Sequence, residues 1–318
     1  MTVPHDTSAP APRVPGAGFV LALALLGIST AGPLVRLSSA HPVTIAAWRV
    51  GFSLIVIAAA IVVTKGWKQW RRLDRGGLLL AVAAGIMLAL HFWSWNASVA
   101  LTTIAASAVL VNLHPIIVAA ISSVWLHERP TRRQWIGIGV AMLGALVVGA
   151  ADLGTLRESA SGRALLGDGL ALIGAFTVAI YYLIGRRLRQ TLDLWPYVGL
   201  VYSACLLTLL LIASIAGAPL APQPPRELLI FAALALGPML LGHTGMNWAL
   251  RYLPAYVVTL TVLGEPVGAT LLALLLPGIR EVPPVLTIAG GILVLLGIML
   301  AMARVSRASR ASRAPSAA

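Results

Sequence analysis

Ten apolar runs follow one another along this chain, each about the length a helix needs to cross a bilayer. They lie at residues 18–35, 43–64, 77–97, 104–126, 134–151, 167–185, 195–216, 227–249, 255–276 and 283–303, bounded by charge, proline or glycine. A crossing takes roughly 20 mostly apolar residues, and within lipid its backbone groups must bond to one another. Little chain remains between the runs for anything else. Composition excludes a water-soluble fold: 59% of the 318 residues are hydrophobic and 10% are charged, against about 25% charged in an ordinary soluble domain. The sequence predicts an all-α integral membrane protein with ten transmembrane helices.

The net charge of +13 does not point to nucleic acid, because no hydrophilic segment is long enough to fold as a basic domain. The positive charges instead set orientation. Of the 23 Lys and Arg, 17 fall on one side of the runs: near residue 13, in 65–76, 127–133 and 186–194, at Arg251 and after residue 303. Five fall on the other side, and Arg49 alone lies inside a run. By the positive-inside rule both termini are cytoplasmic, in a multi-pass protein of the cell (inner) membrane. Residues 1–17, which hold four prolines, are expected to be disordered. The connector 152–166 is external, and the Ser-Arg-Ala repeats of 304–318 form a disordered tail drawn to anionic headgroups. The first run reads as an uncleaved span rather than a signal peptide. Cys205 is the only cysteine, so no disulfide forms within the chain, and it reads as a small core or lipid-facing residue.

Shifted by 151 residues, the chain aligns with itself: Gly18 falls on Gly169, Asn96 on Asn247 and Pro115 on Pro266. Beyond a two-residue insertion, Glu128, Gly137 and Gly144 meet Glu281, Gly290 and Gly297. Residues 18–151 and 167–303 are thus two copies of one five-helix unit. Five is odd, so the second copy enters the membrane inverted. The loop charges agree: 65–76 holds five basic residues and its counterpart 217–227 only Arg226. Inverted repeats are a signature of secondary transporters, with the site near the midplane between the copies.

The segments HPIIVAAISSVWLHERPTRRQWIGIGVAMLGALVVG (114–149) and EPVGATLLALLLPGIREVPPVLTIAGGILVLLG (265–297) share an order of features: proline, apolar helix, acidic-basic loop, glycine-rich helix. With HFWSWNASVALTTIAASAVLVNLHP ahead of the first, they give a chain that resembles EamA-type members of the drug/metabolite transporter superfamily from about Gly18 to Ala303. The resemblance implies ten transmembrane helices as two inverted five-helix EamA repeats. It also implies a cavity enclosed by spans 1–4 and 6–9 with spans 5 and 10 peripheral, and alternating access to a small-molecule substrate without a cofactor. Span 1 departs from the family, with Gly27-Ile28-Ser29-Thr30 where Trp-Gly is common.

Polar groups within a span face the bundle interior, because lipid offers them no partner. Glu265 and Arg49 are the two formal charges well inside spans. A central charge costs about 2.5–3.5 kcal/mol on insertion scales, so Glu265 is a candidate for proton coupling or substrate contact, with a structural hydrogen bond as the alternative. His114 is its repeat counterpart, and each precedes a proline, Pro115 or Pro266, that frees a carbonyl one turn earlier and kinks the helix. His91 and Trp95 share a face of span 3, with Asn96 adjoining; His243 and Asn247 stand at i, i+4 in span 8. With Tyr181 and Tyr182 on span 6 they are candidates to line a cavity, while an aromatic belt at the membrane interface is the alternative for Trp95. Arg49 suits a substrate carboxylate or, equally, a structural role at a helix end. Gly137, Ala141, Ala145 and Gly149, with Gly290 and Gly297, suit close helix packing, within the bundle or across a homodimer.

Three functions compete at this point. An exporter of small metabolites, amino acids or related compounds, fits best. An exchanger of sugar phosphates or nucleotide sugars would favour several intramembrane cations, and only Arg49 is there. An intramembrane enzyme has its nearest hint in His127-Glu128, but Thr131 occupies the place of a zincin's second histidine, and no catalytic or metal cluster emerges. No segment carries a nucleotide-binding loop for ATP coupling.

Overall fold

The computed structural model describes residues 16–102, 107, 110–150, 162–265, 267–268 and 285–311. These residues form helices α1 (Ala17–Ser29), α2 (Ala31–Leu37), α3 (Pro42–Thr64), α4 (Arg75–Leu101), α5 (His114–Trp125), α6 (Arg132–Ala150), α7 (Gly162–Leu188) and α8 (Leu194–Ala216). There follow α9 (Pro225–Leu234), a π-helical segment (Ala235–His243), α10 (Thr244–Ala249), α11 (Ala255–Val262) and α12 (Val285–Ala311). A 3₁₀ turn, Gly66–Arg72, joins α3 to α4. Local chemistry sets the ends: Asp74 accepts from Gly77 N–H at 2.8 Å to start α4, and Gly217 turns left-handed (φ 60°) to stop α8.

Six stretches among the described residues are long and apolar enough to cross a membrane: Ala17–Leu37, Pro42–Thr64, Arg75–Leu101, Leu165–Leu188, Leu194–Ala216 and Pro225–Ala249. His114–Trp125 and Ile288–Ala301 are shorter apolar helices. The runs expected at 104–126 and 255–276 fall partly outside the described residues, as do residues 1–15, 151–161 and Pro266. Two expected helices are not uniform. The first changes course at Thr30, whose hydroxyl donates to Gly27 O at 2.8 Å. The eighth loses its α pattern around Pro238, which has no N–H to give to the turn before it. The last helix continues to Ala311, into residues expected as a free tail; Ala and Arg are strong helix formers.

The packing maps onto itself when the halves are exchanged. α4 packs on α7 as the π segment packs on α1, and α5 meets α7 as α11 meets α1. α4 packs on α8 as α9 and the π segment pack on α3, while α3–α8, α5–α11 and α6–α12 pair each element with its own counterpart. The glycine stripe predicted for close packing is taken up inside the chain: a side chain on Gly137 or Gly144 would strike the backbone of α12 at Gly297 or Gly290.

Among the described residues, bonds between connections join those of like parity, as helices that run alternately up and down require. At one end Asp193 accepts from Gln69 Nε2 at 2.5 Å and from Arg251 Nη1 at 2.6 Å. These two donors hold its carboxyl below the usual range, the Gln69 bond contributing most. Nearby, Glu128 accepts from Arg186 Nε at 2.6 Å and from Ala255 N–H at 3.0 Å. At the other end Glu227 accepts from the Ser39 amide and hydroxyl at 3.1 and 3.0 Å, Trp48 donates to Leu220 O at 2.8 Å, and Thr102 donates to Asp168 at 2.9 Å. The first end carries the basic loops.

Candidate functional site

A cavity lies where the two halves meet. Its wall takes Ile28 and Ala31 from the α1–α2 junction, Arg49 from α3, and His91, Phe92 and Trp95 from α4. Asn112 and His114 come from the start of α5 and Tyr182 from α7. Pro238 and His243 of the π segment and Glu265, just past α11, complete it. Among the described residues α6 and α12 contribute nothing to the lining, as expected for peripheral helices.

Arg49 is 1% exposed, so its side chain does not snorkel out of the bundle. Its guanidinium carbon stands 4.1 Å above the Phe92 ring centroid, and Nη2 lies 4.0 Å from Met239 Sδ. Its Nε has no hydrogen-bond partner, and no carboxylate among the described residues is within ion-pairing distance. A ring face and a thioether satisfy a cation only weakly. Arg49 therefore presents unused donors at the wall that Glu265 also lines.

His114 shows what its proline neighbour does. In a regular helix the residue 115 amide would donate to Val111 O; Pro115 has no N–H, and His114 Nδ1 takes that carbonyl at 2.9 Å instead. The bond puts the proton on Nδ1, so Nε2 is an acceptor, and it is buried without a partner. Pro115 thus stands in the first turn of α5, just after a turn at residues 112–113 that separates it from helical residues 110–111. His91 Nδ1 is held by Gly174 O at 3.0 Å, fixing the same tautomer. The Tyr182 ring is stacked between His114 (centroids 6.2 Å) and His243 (6.4 Å), and Phe92 meets His243 edge-on at 5.2 Å. His243 Nδ1 and Asn112 Oδ1 are also buried and unpartnered.

The π segment aims His243. Met239 O accepts from the Thr244 amide, five residues on, and from its hydroxyl at 3.1 Å; Tyr202 OH lies 3.1 Å from the same hydroxyl. The extra residue per turn rotates His243 from the face a continuous helix would give it.

Of the residues singled out in the sequence, the structure brings Glu265, His114, His91, Trp95, His243 and Arg49 to the cavity. Three others lie elsewhere. Asn96 Nδ2 donates to Pro42 O at 3.0 Å, tying α4 to the start of α3. Asn247 and Tyr181 bond to each other behind the wall, toward the basic end, and Tyr182 rather than Tyr181 reaches the cavity. Sequence reasoning passed over Phe92 as the platform under Arg49, and Asn112 as lining. Phe92 stands one residue after His91, which signals a shared face only when the cavity spans about a third of the helix girth.

No group of His, Cys, Asp and Glu among the described residues has metal-binding geometry. The unused polar atoms of the cavity comprise a fixed cation and uncharged acceptors, with a carboxyl group beside them, in a mainly apolar and aromatic wall. That set suits a small polar molecule carrying both an anionic and a hydrogen-donating group.

The sequence profile of the EamA-like transporter family matches residues 15–150 and again 165–303. No curated protein matches the chain. A solved crystal structure superimposes with a TM-score of 0.76, covering 93% of this chain and 99% of its own at 18% identity, a likeness of fold.

Proposed function

This chain belongs to the EamA-like transporter family, and from that premise we propose that it is a secondary carrier exporting small metabolites, amino acids or related compounds, by alternating access. In this reading ten helices cross the inner membrane as two inverted five-helix repeats, residues 18–151 and 167–303, with both termini cytoplasmic. The observation that supports it most is the set of buried, unpartnered polar atoms around one cavity: Arg49 Nε, Asn112 Oδ1, His114 Nε2 and His243 Nδ1. Each such atom costs about 1–3 kcal/mol if nothing ever bonds it, and four converging on one space are readily understood as waiting for a ligand. The substrate's carboxylate meets Arg49, and its amine meets the acceptors. Glu265 carries the coupling proton, taking it from one side of the membrane and releasing it on the other as the halves rock. A sugar-phosphate exchanger is the weaker reading, because among the described residues Arg49 is the only Lys or Arg lining the cavity.

A screen of metabolites and toxic analogues on overexpressing cells tests the proposal. Cells making the wild-type chain become resistant to at least one small zwitterionic analogue, and cells making Arg49→Met at equal membrane abundance do not. Equal sensitivity of both strains to every such compound would contradict it.

A further inference from the structure

We propose that Tyr197 and Asn247, facing one another beside Gly185, line the inner half of the solute path, which is closed in this conformation. The inference rests on the carrier reading above and extends it to residues outside the cavity.

Both side chains are fully buried, and Tyr197 OH and Asn247 Oδ1 have no hydrogen-bond partner among the described residues. They come from different helices, α8 and α10, yet open on the same spot. A Cβ on Gly185 of α7 would lie 2.9 Å from Tyr197 OH and 3.4 Å from Asn247 Oδ1. The Leu250 Cδ1 methyl closes that spot from a further side, 2.9 Å from the same point. A core built only to pack would have phenylalanine at 197 and an apolar residue at 247, and would leave neither atom stranded.

Asn247 also stands among a series of polar groups that leads away from the cavity. Asn247 Nδ2 donates to His243 O at 2.7 Å and to Tyr181 OH, and His243 lines the cavity. In the other direction Arg189, 1% exposed, donates from Nε to Asn247 O at 3.0 Å and from Nη1 to Leu192 O. Asp193 follows, in the network with Gln69 and Arg251 at the basic end. These polar groups therefore lead from the cavity wall to the charged loops, between α7, α8 and α10. Glu128 with Arg186, and Asp193 with Arg251, hold the loops together over them. Releasing them and withdrawing Leu250 would hydrate both stranded atoms at once, and a polar solute leaving the cavity toward the basic end would find partners at each step.

Cysteine accessibility tests this on the full-length protein. In a Cys205→Ala background, Tyr197→Cys and Asn247→Cys are made separately, with Ala84→Cys in the apolar core of α4 as control. Vesicles exposing the basic loops are treated with a membrane-impermeant, positively charged methanethiosulfonate. Reaction at either position 197 or 247, faster than at 84, is expected. Adding Asp193→Asn should raise that rate up to about fivefold, the shift that loss of one exposed ion pair supports. The proposal is overturned if both positions react no faster than residue 84, or if the rate ignores Asp193→Asn. Asn112→Cys, treated from the opposite face, separates the two readings. Its reaction while 197 and 247 stay silent leaves the cavity standing and removes only the inner path.

Discussion

At the scale of single residues, a local sequence feature and a distant partner often explain the same atom. Pro115 frees Val111 O, His114 claims it, and the ring is left with an acceptor at the cavity wall. The pairing of His114 with Glu265 was legible from the 151-residue shift alone, and both line the cavity. The platform under Arg49 was not legible, because nothing in a sequence says which ring of a neighbouring helix faces a given side chain. Arg49 also offers a test of purpose. A buried guanidinium without a carboxylate is a burden on the fold, and an unbranched apolar side chain of similar length would relieve it. Arg49→Met should therefore melt no lower than the wild type in detergent, by a thermal-shift assay, while losing substrate flux at least about tenfold, the effect of about 1.4 kcal/mol. A lower melting temperature with flux retained would make Arg49 a structural residue.

At the scale of elements, apolar periodicity located the helices well and their internal breaks poorly. The π segment at Ala235–His243 and the break at Thr30 lie where α1 and the π segment pack closely against one another. A Cβ on Gly27 would lie 2.8 Å from Gly237 O and 2.9 Å from Gly242 N, so backbone meets backbone there. A lone Gly-Pro in an apolar run, as at Gly237-Pro238, hints at such a site without saying how many residues the disturbed turn will hold. Of the neighbouring Tyr181 and Tyr182 only Tyr182 reaches the cavity, and Asn247 lies behind its wall: a helical wheel cannot fix the rotation of one helix against its neighbours. The crossing makes a clear demand on stability. Gly27→Ala should lower it by about 1–3 kcal/mol, the usual cost of overpacking, read as a lower melting temperature. Gly18→Ala, where nothing lies within 4 Å of the added methyl, should leave it unchanged.

At the scale of the whole molecule, the internal repeat carried the most information. It predicted two copies, and the packing pairs exchange with one another when the copies are swapped. The count of Lys and Arg predicted which connections share a side, and the bonds between connections respect that division. The position of the cavity within the bundle follows from the same symmetry, since elements from both copies build its wall. What the sequence could not convey is how the basic end is joined, by Glu128 with Arg186 and Asp193 with Arg251, and that Leu250 packs beside Gly185. In the proposed cycle the halves rock between two states, and Glu265 is the group proposed to couple them to a proton gradient. The most direct measurement is flux of the screened substrate in proteoliposomes, with and without an imposed pH gradient, for wild type and Glu265→Gln. The account predicts that the gradient accelerates wild-type flux and leaves the inserted, folded Glu265→Gln protein slow and indifferent to it. A Glu265→Gln protein with wild-type flux and a wild-type response to the gradient would contradict the account.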